Sequence, residues 1–216
     1  MSRLSPEVLL QAYAMGVFPM GESRYDSRLH WIDPETRGVL PLDSLHLARS
    51  LVRRVRREIF EVRVDSAFDE VMRACAEPGP GRWSTWINEQ ILTLYGEVHR
   101  MGRAHSVECW REGDLVGGLY GISLGAVFFG ESMFSREADA SKVALVHLVG
   151  RLLIGGYTLL DIQFTTEHLA QFGAIEISRA AYHRHLEAAL ERPADFYCAG
   201  AELSAETVLQ SITQTS

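Results

Sequence analysis

The chain has 216 residues, 47% of them hydrophobic and 23% charged, which is enough apolar material for one large core or for a catalytic body with a small attachment. A net charge of −7 argues against general nucleic-acid binding, yet residues 49–63 carry six Arg against Glu58 and Glu61, a local balance of +4 that leaves −11 on the rest. Three widely spaced cysteines (Cys75, Cys109, Cys198) argue against a disulfide framework and a zinc site, and the absence of a membrane-length apolar run or a signal-peptide pattern makes the cytoplasm the expected compartment.

From the N-terminus, Ser5-Pro6-Glu7 starts a helix with a capping hydroxyl, Pro at the first position and an early acid, and Gly16 should stop it after about Met15. Residues 17–41, rich in Gly, Pro and turn formers, read as connected loops with at most short strands. Asp43 is expected to cap a second helix with Leu45, Ala48, Val52 and Val55 as its apolar stripe and Arg49, Arg53 and Arg56 on another face. A half-buried strand at 60–65 precedes a short helix bearing Phe68, Val71, Met72 and Cys75, and AEPGPGR breaks the chain. Ser84 or Thr85 should start an amphipathic helix carrying Ile87, Ile91, Leu94, Tyr95, Val98 and Met101, closed by Gly102.

Three short-period apolar segments, HSVECW, DLVGGLYG and AVFFGE, separated by turn residues, predict an antiparallel meander. Residues 139–154 are apolar on nearly every face, predicting a helix buried against that sheet, after which YTLLDIQ returns as a strand. Thr165 or Thr166 caps a short helix closing at Gly173, Ser178 a long one around AAYHRHLEAAL, and the residues after about Ala199 read as loosely held. Hairpin-joined strands followed by a helical crossover give an α+β fold with a mixed, mostly antiparallel sheet.

Chemistry concentrates in TWI (85–87) with HSVE (105–108), in LVGGLYG (115–121), in FFGESMFS (128–135) with ASK (140–142), and in DIQFTTEHLAQFGA (161–174). Gly117-Gly118 is a candidate bulge or kink. GESMF lacks the final Gly of a nucleophile elbow, which argues against a serine hydrolase. His105 and Glu108 fall on opposite strand faces, and His183 and His185 are badly spaced on a helix, so no metal site is expected. No phosphate-binding Gly motif is present, and no nucleotide cofactor is expected. Asp161 and Gln163 are two apart on a strand and project to one face by alternation, among apolar neighbours. Each of Asp161 and Glu131 is either a paired structural acid or part of a site, and the Arg run is either a solvated face or a grip on phosphate.

Together, TWI, AHSVE, LVGGLYG, FFGESMFS, ASK, D-x-Q and HL-x-x-FGA, in this order, closely resemble the leucyl/phenylalanyl-tRNA–protein transferases over residues 5–185, with YAMGVFPM and WIDPETRGVLP resembling their N-terminal part. Met20 and Ile162 depart from residues common in the family, and alternation points Ile162 away from the site. The resemblance implies a small N-terminal α/β domain (1–60) and a GNAT-like acyltransferase domain (61–216). A monomer is expected, and no cofactor or metal, because an aminoacyl ester on tRNA is already activated. The resemblance also implies transfer of Leu or Phe, less readily Met, from aminoacyl-tRNA to proteins beginning with Arg or Lys, which marks them for degradation.

Asp161 and Gln163, at the family's D-x-Q positions, would then hold the acceptor amine and draw off its proton. Glu131 would either orient the amine or face the cationic first residue. Leu119, Phe128, Leu145, Leu148, Leu152 and Leu160, with Ser132, would form the aminoacyl pocket. Arg49, Arg53, Arg54, Arg56 and Arg57 would grip the tRNA acceptor phosphates. The rival readings are a tRNA-dependent transferase acting on a cell-wall precursor, a non-catalytic adaptor for tRNA or basic N-termini, and an acyl-CoA acetyltransferase, the last without a Gly-rich pyrophosphate loop to support it.

Overall fold

The protein is described by a computed structural model covering residues 4–21, 29–78 and 85–214. Its framework is the expected meander: β5 (Ala104–Arg111), β6 (Asp114–Leu124) and β7 (Val127–Ser135) pair antiparallel, with Glu112, Gly113 and Gly125 taking the positive φ their tight turns need. α5 (Ala140–Ile154) crosses over the sheet to β8 (Leu159–Gln163), which runs parallel to β7. Twelve of the fifteen residues of α5 are buried, and its first turn lies directly on β6. A Cβ added to Gly117 would stand 2.4 Å from that of Ala140, so only glycine admits the helix so closely.

Seven strands form the sheet in the order β4-β5-β6-β7-β8-β3-β9, with β7–β8 its parallel pair. β4 (Glu61–Val64) makes one edge. The other edge is β9 (Ile175–Ser178), with β3 (Thr36–Val39) between it and β8. One apolar core packs α2 (Arg49–Arg56), α5 and α8 (Ala205–Gln214) on one face, through Leu51, Val55, Val149, Leu152 and Leu209. A second core packs α1 (Pro6–Ala14), α3 (Phe68–Cys75), α4 (Glu89–Arg100) and α7 (Arg179–Leu190) on the other, through Tyr13, Val71, Tyr95 and Tyr182. A separate hairpin joins β1 (Phe18–Gly21) to β2 (Leu29–Ile32), and α6 (Glu167–Ala170), capped by Thr166, follows β8.

The first helix and the caps at Ser5 and Ser178 form as the sequence predicts. Elsewhere tertiary contacts override local signals. The second helix begins at Arg49, not Asp43, which lies in a 3-10 turn at Leu42–Ser44. His46 donates its backbone N–H to Phe172 O at 3.0 Å and Leu45 is buried, which holds this stretch extended. Asn88, not Thr85, caps α4, its Oδ1 accepting from Ile91 N at 2.9 Å; Ser84 lies outside the described residues. The stretch expected as loops with short strands supplies β3 to the main sheet, and Leu40, Leu51 and Val55 belong to the core of α5, so residues 1–60 share both sheet and core with the rest of the chain.

The expected loose tail is instead α8, buried through Val208, Leu209 and Ile212. Gly150 makes room for it: a Cβ there would meet Val208 Cγ1 at 2.7 Å. Arg151 ties down the approach, donating to the carbonyls of Phe196, Gly200 and Ala201 at 2.9, 2.7 and 2.7 Å.

β3 is fastened by one buried ion pair. Arg37 donates through Nε and Nη2 to the two oxygens of Asp161 at 2.9 and 2.6 Å and through Nη1 to Gly16 O at 3.0 Å, while its guanidinium lies between the rings of Phe18 and Tyr182, 4.5 and 4.4 Å from their centroids. Gly38 lets β3 reach β8, since a Cβ there would stand 2.9 Å from backbone atoms of Phe164 and Thr165.

Two denaturation measurements test this architecture. Leu209→Ala should lower urea-unfolding stability by about 2–4 kcal/mol, the cost of a cavity in a packed core, where a loose tail would show no change. Arg37→Ala should cost about 3–5 kcal/mol by stranding a buried carboxylate, and the double change Arg37→Met with Asp161→Leu should recover most of that loss.

Candidate active site

β7 and β8 pair only from Val127 to Phe129 opposite Leu159 to Asp161. Beyond that point β7 continues to Ser135 against β6 alone, and the gap between the parallel strands opens into a cavity of about 1030 Å³. Its floor is apolar: Leu119, Met133, Phe134, Leu145, Leu148, Leu160, Ile162 and Leu169. Polar groups stand on the wall where the strands part, Glu131 and Ser132 from β7 and Gln163 from the end of β8, with Trp86, Phe18 and Met20 also lining it. An apolar recess beside a few placed polar groups is the usual form of a small-ligand site.

Glu131 is held by three partners. Tyr13 donates to its Oε1 at 2.6 Å, Tyr95 to its Oε2 at 3.1 Å, and Gln163 Nε2 to Oε1 at 3.3 Å. The two tyrosine hydroxyls also lie 2.5 Å apart. Burial raises the Glu131 carboxyl to about 7, against the two tyrosine hydrogen bonds and the Arg37 charge, which lower it, and with the Asp161 charge, which raises it further. Burial likewise holds both tyrosine hydroxyls well above their ordinary range, so they serve as neutral donors.

Asp161 and Gln163 do not share a face. Asp161 is fully buried and absent from the cavity wall. Its Oδ1 accepts from Arg37 Nε and from Gln163 N, both at 2.9 Å, and its Oδ2 from Arg37 Nη2 at 2.6 Å and Tyr182 OH at 2.7 Å. With each oxygen accepting twice, Asp161 cannot reach an amine in the cavity, which corrects the direct role expected of it. Alternation instead turns Leu160 and Ile162 to the cavity, so Ile162 faces the site and not away from it.

Gln163 escapes the alternation through its backbone, which has φ +55°. Phe164 N donates to Ile162 O at 2.6 Å around it, and Asp161 Oδ1 accepts the Gln163 N–H, so the carboxylate stabilises a turn that L-residues rarely adopt. The turn swings the Gln163 side chain onto the wall beside Glu131.

Of the expected pocket residues, Leu119, Leu145, Leu148, Leu160 and Ser132 line the cavity. Phe128 and Leu152 do not. Phe128 stacks on Phe196 with centroids 5.9 Å apart, and Leu152 is fully buried in the core beneath α5.

Arg49, Arg53, Arg56 and Arg57 are exposed along α2 and its end, with Arg56 3.9 Å from Glu206. Arg54 leaves this stripe. It donates to Ala138 O at 2.8 Å and pairs with Asp139 at 3.2 Å, at the start of α5 close to the cavity-lining Ser135 and Ser141.

Sequence reasoning missed Arg37, Tyr13, Tyr95 and Tyr182 as site residues. Tyr95 belonged to a visible apolar stripe, but nothing local distinguished its hydroxyl, and Arg37 meets its partner 124 positions away. Among the described residues no three His, Cys, Asp or Glu side chains are grouped to hold a metal ion, and no helix is long and apolar enough to cross a membrane.

Comparison with known proteins places the chain and its fold. The family described as Leucyl/phenylalanyl-tRNA protein transferase matches residues 39–187, and its N-terminal domain matches residues 2–35. A leucyl/phenylalanyl-tRNA–protein transferase of Phenylobacterium zucineum (strain HLK1) is 58% identical over 221 residues, covering 100% of both chains. The protein of the same name from Maricaulis maris (strain MCS10) is 57% identical over 210 residues, covering 97% of each. Among solved structures, FemX shares the fold with a TM-score of 0.53 at 13% identity, over 80% of this chain and 66% of that one. With both family segments matched in order and full-length relatives at this identity, the chain belongs to the leucyl/phenylalanyl-tRNA–protein transferase family.

Proposed function

We propose that this protein transfers Leu or Phe, and less readily Met, from aminoacyl-tRNA to the α-amino group of proteins beginning with Arg or Lys, marking them for degradation in the cytoplasm. The observation that carries the reading is the cavity itself: an apolar floor directly beside a carboxyl raised to about 7. The names of the relatives above, leucyl/phenylalanyl-tRNA–protein transferase, support the transfer of Leu or Phe from tRNA to protein.

In this reading the aminoacyl side chain lies among Leu119, Leu145, Leu148, Leu160 and Ile162, with Ser132 beside it. Trp86 offers an aromatic face to the terminal nucleoside. The ester is already activated. The remaining requirement is a neutral, aligned amine, and an α-ammonium titrates near 8, so a base near 7 is well matched. Glu131 accepts the ammonium proton, and Gln163, whose Nε2 donates to Glu131, presents its amide oxygen to the amine. The amine nitrogen then bonds to the ester carbonyl carbon, the bond from that carbon to the ribose oxygen breaks, and the proton released on forming the amide returns to that oxygen.

Asp161 acts through Gln163, by holding its backbone N–H, and Arg37 holds Asp161. Arg49, Arg53, Arg56 and Arg57 grip acceptor-stem phosphates, with Arg54 fixing their helix to the start of α5 near the cavity. A pocket that sorts apolar side chains by fit discriminates only about 10–200-fold, which accommodates Leu, Phe and some Met.

Labelled Leu from Leu-tRNA should pass to a peptide beginning with Arg and far less to one beginning with Ala; equal or absent transfer would refute the acceptor rule. The kcat–pH profile should fall on the acid side below about 7, where Glu131 becomes protonated. Tyr95→Phe removes a bond that favours the charged form and should move that limb upward by about one pH unit. Glu131→Gln should lower kcat by about 10²-fold or more.

A further inference from the structure

An acceptor that begins with Arg or Lys brings two cations to the site, its α-ammonium and its side chain, and the mechanism above engages only the first. Glu131 is poorly placed for both. Its Oε1 already accepts from Tyr13 and Gln163 and its Oε2 from Tyr95, which leaves room for one further donor. A guanidinium fork presents two parallel N–H groups and calls for a carboxylate with both oxygens open.

Among the described residues the cavity wall holds one other carboxylate. Glu167, the first residue of α6, lines the cavity four positions beyond Gln163. Its side chain is exposed, with no hydrogen bond or ion pair among the described residues. Among the described residues no Lys or Arg lines the cavity, and His168, next to Glu167 on its wall, has its pKa lowered by burial and by the Lys142 charge, which favours its neutral form. The Asp161 charge behind the wall is already matched by Arg37. Among the described residues Glu167 is thus a carboxylate on the cavity wall with no cation lining the wall beside it, an arrangement that favours a cationic group.

We infer that Glu167 is the specificity-determining carboxylate that receives the cationic side chain of the acceptor's first residue, with Glu131 reserved for its amine. The inference rests on the reading that acceptors begin with Arg or Lys. A Glu in the first turn of a helix also has an ordinary structural use, favourable interaction with the backbone dipole. The two uses separate in experiment, because a structural role affects every acceptor alike.

The test compares kcat/KM for Leu transfer to peptides beginning with Arg, Lys, Ala or Glu, using the full chain and Leu-tRNA. In Glu167→Gln the preference for Arg over Ala should fall about tenfold or more, carried by the KM of the Arg peptide. Glu167→Asp should retain most of that preference, and Glu167→Lys should favour the Glu peptide over the Arg peptide. An Arg-over-Ala preference that survives in both Glu167→Gln and Glu167→Lys would overturn the assignment while leaving the proposed reaction standing. Wild-type protein that shows no such preference would overturn the acceptor rule and this inference with it.

Discussion

The buried pair of Arg37 and Asp161 is the contact on which the site depends. A carboxylate with no solvent exposure is tolerable only when paired and fully hydrogen-bonded, and here both oxygens are saturated by Arg37, Tyr182 and the Gln163 N–H. The pair fixes β3 against β8, joins the turn after α1 to the sheet through Gly16, and stabilises the left-handed backbone at Gln163. An acid that alternation made a candidate base is in this fold the anchor of its neighbour. Through the Gln163 N–H it holds the turn that sets where that amide side chain points.

The parting of β7 and β8 supplies the rest. Two parallel strands that pair over three residues and then diverge leave a wedge, and the buried crossover helix between them closes its floor. Glu131 sits at the opening, partly desolvated by the core on one side and steadied by Tyr13 and Tyr95 on the other. Desolvation outweighs those bonds and leaves the group poised near neutrality. Tyr13 comes from α1 and Tyr95 from α4, so the site draws together the N-terminal helix, the sheet and the helical layer behind it. The first sixty residues thus contribute Tyr13 and Arg37 to the candidate site.

Elements built from long periodic segments were legible in the residues alone. The stripe through Ile91, Leu94 and Val98, the all-round apolarity of residues 140–154 and the turn glycines between three short strands each state their structure locally, because burial of one face dictates the period. The alternation at 60–65 announced β4, but β3 shows no such alternation of apolar and polar residues and became visible only through its partners. The start of α2 was misplaced because Leu45 and His46 answer to contacts with the core and with Phe172. The polar-looking tail hid Val208, Leu209 and Ile212, which form a helix because α5 offers them a surface at Gly150.

The sequence by itself determined the meander and the crossover helix, and named the segments in which the candidate acids and amide lie, since hydrophobic period and turn chemistry act over neighbouring residues. It also carried the motif order that marks the family. Only the tertiary structure decided which acid meets the cavity, that Phe128 and Leu152 serve the core, and that Arg54 binds the start of α5 while Arg53, Arg56 and Arg57 stay exposed. Those outcomes turn on charges and rings from distant parts of the chain competing for the same buried space. Desolvation sets the terms of that competition, and it exists only once the chain has folded.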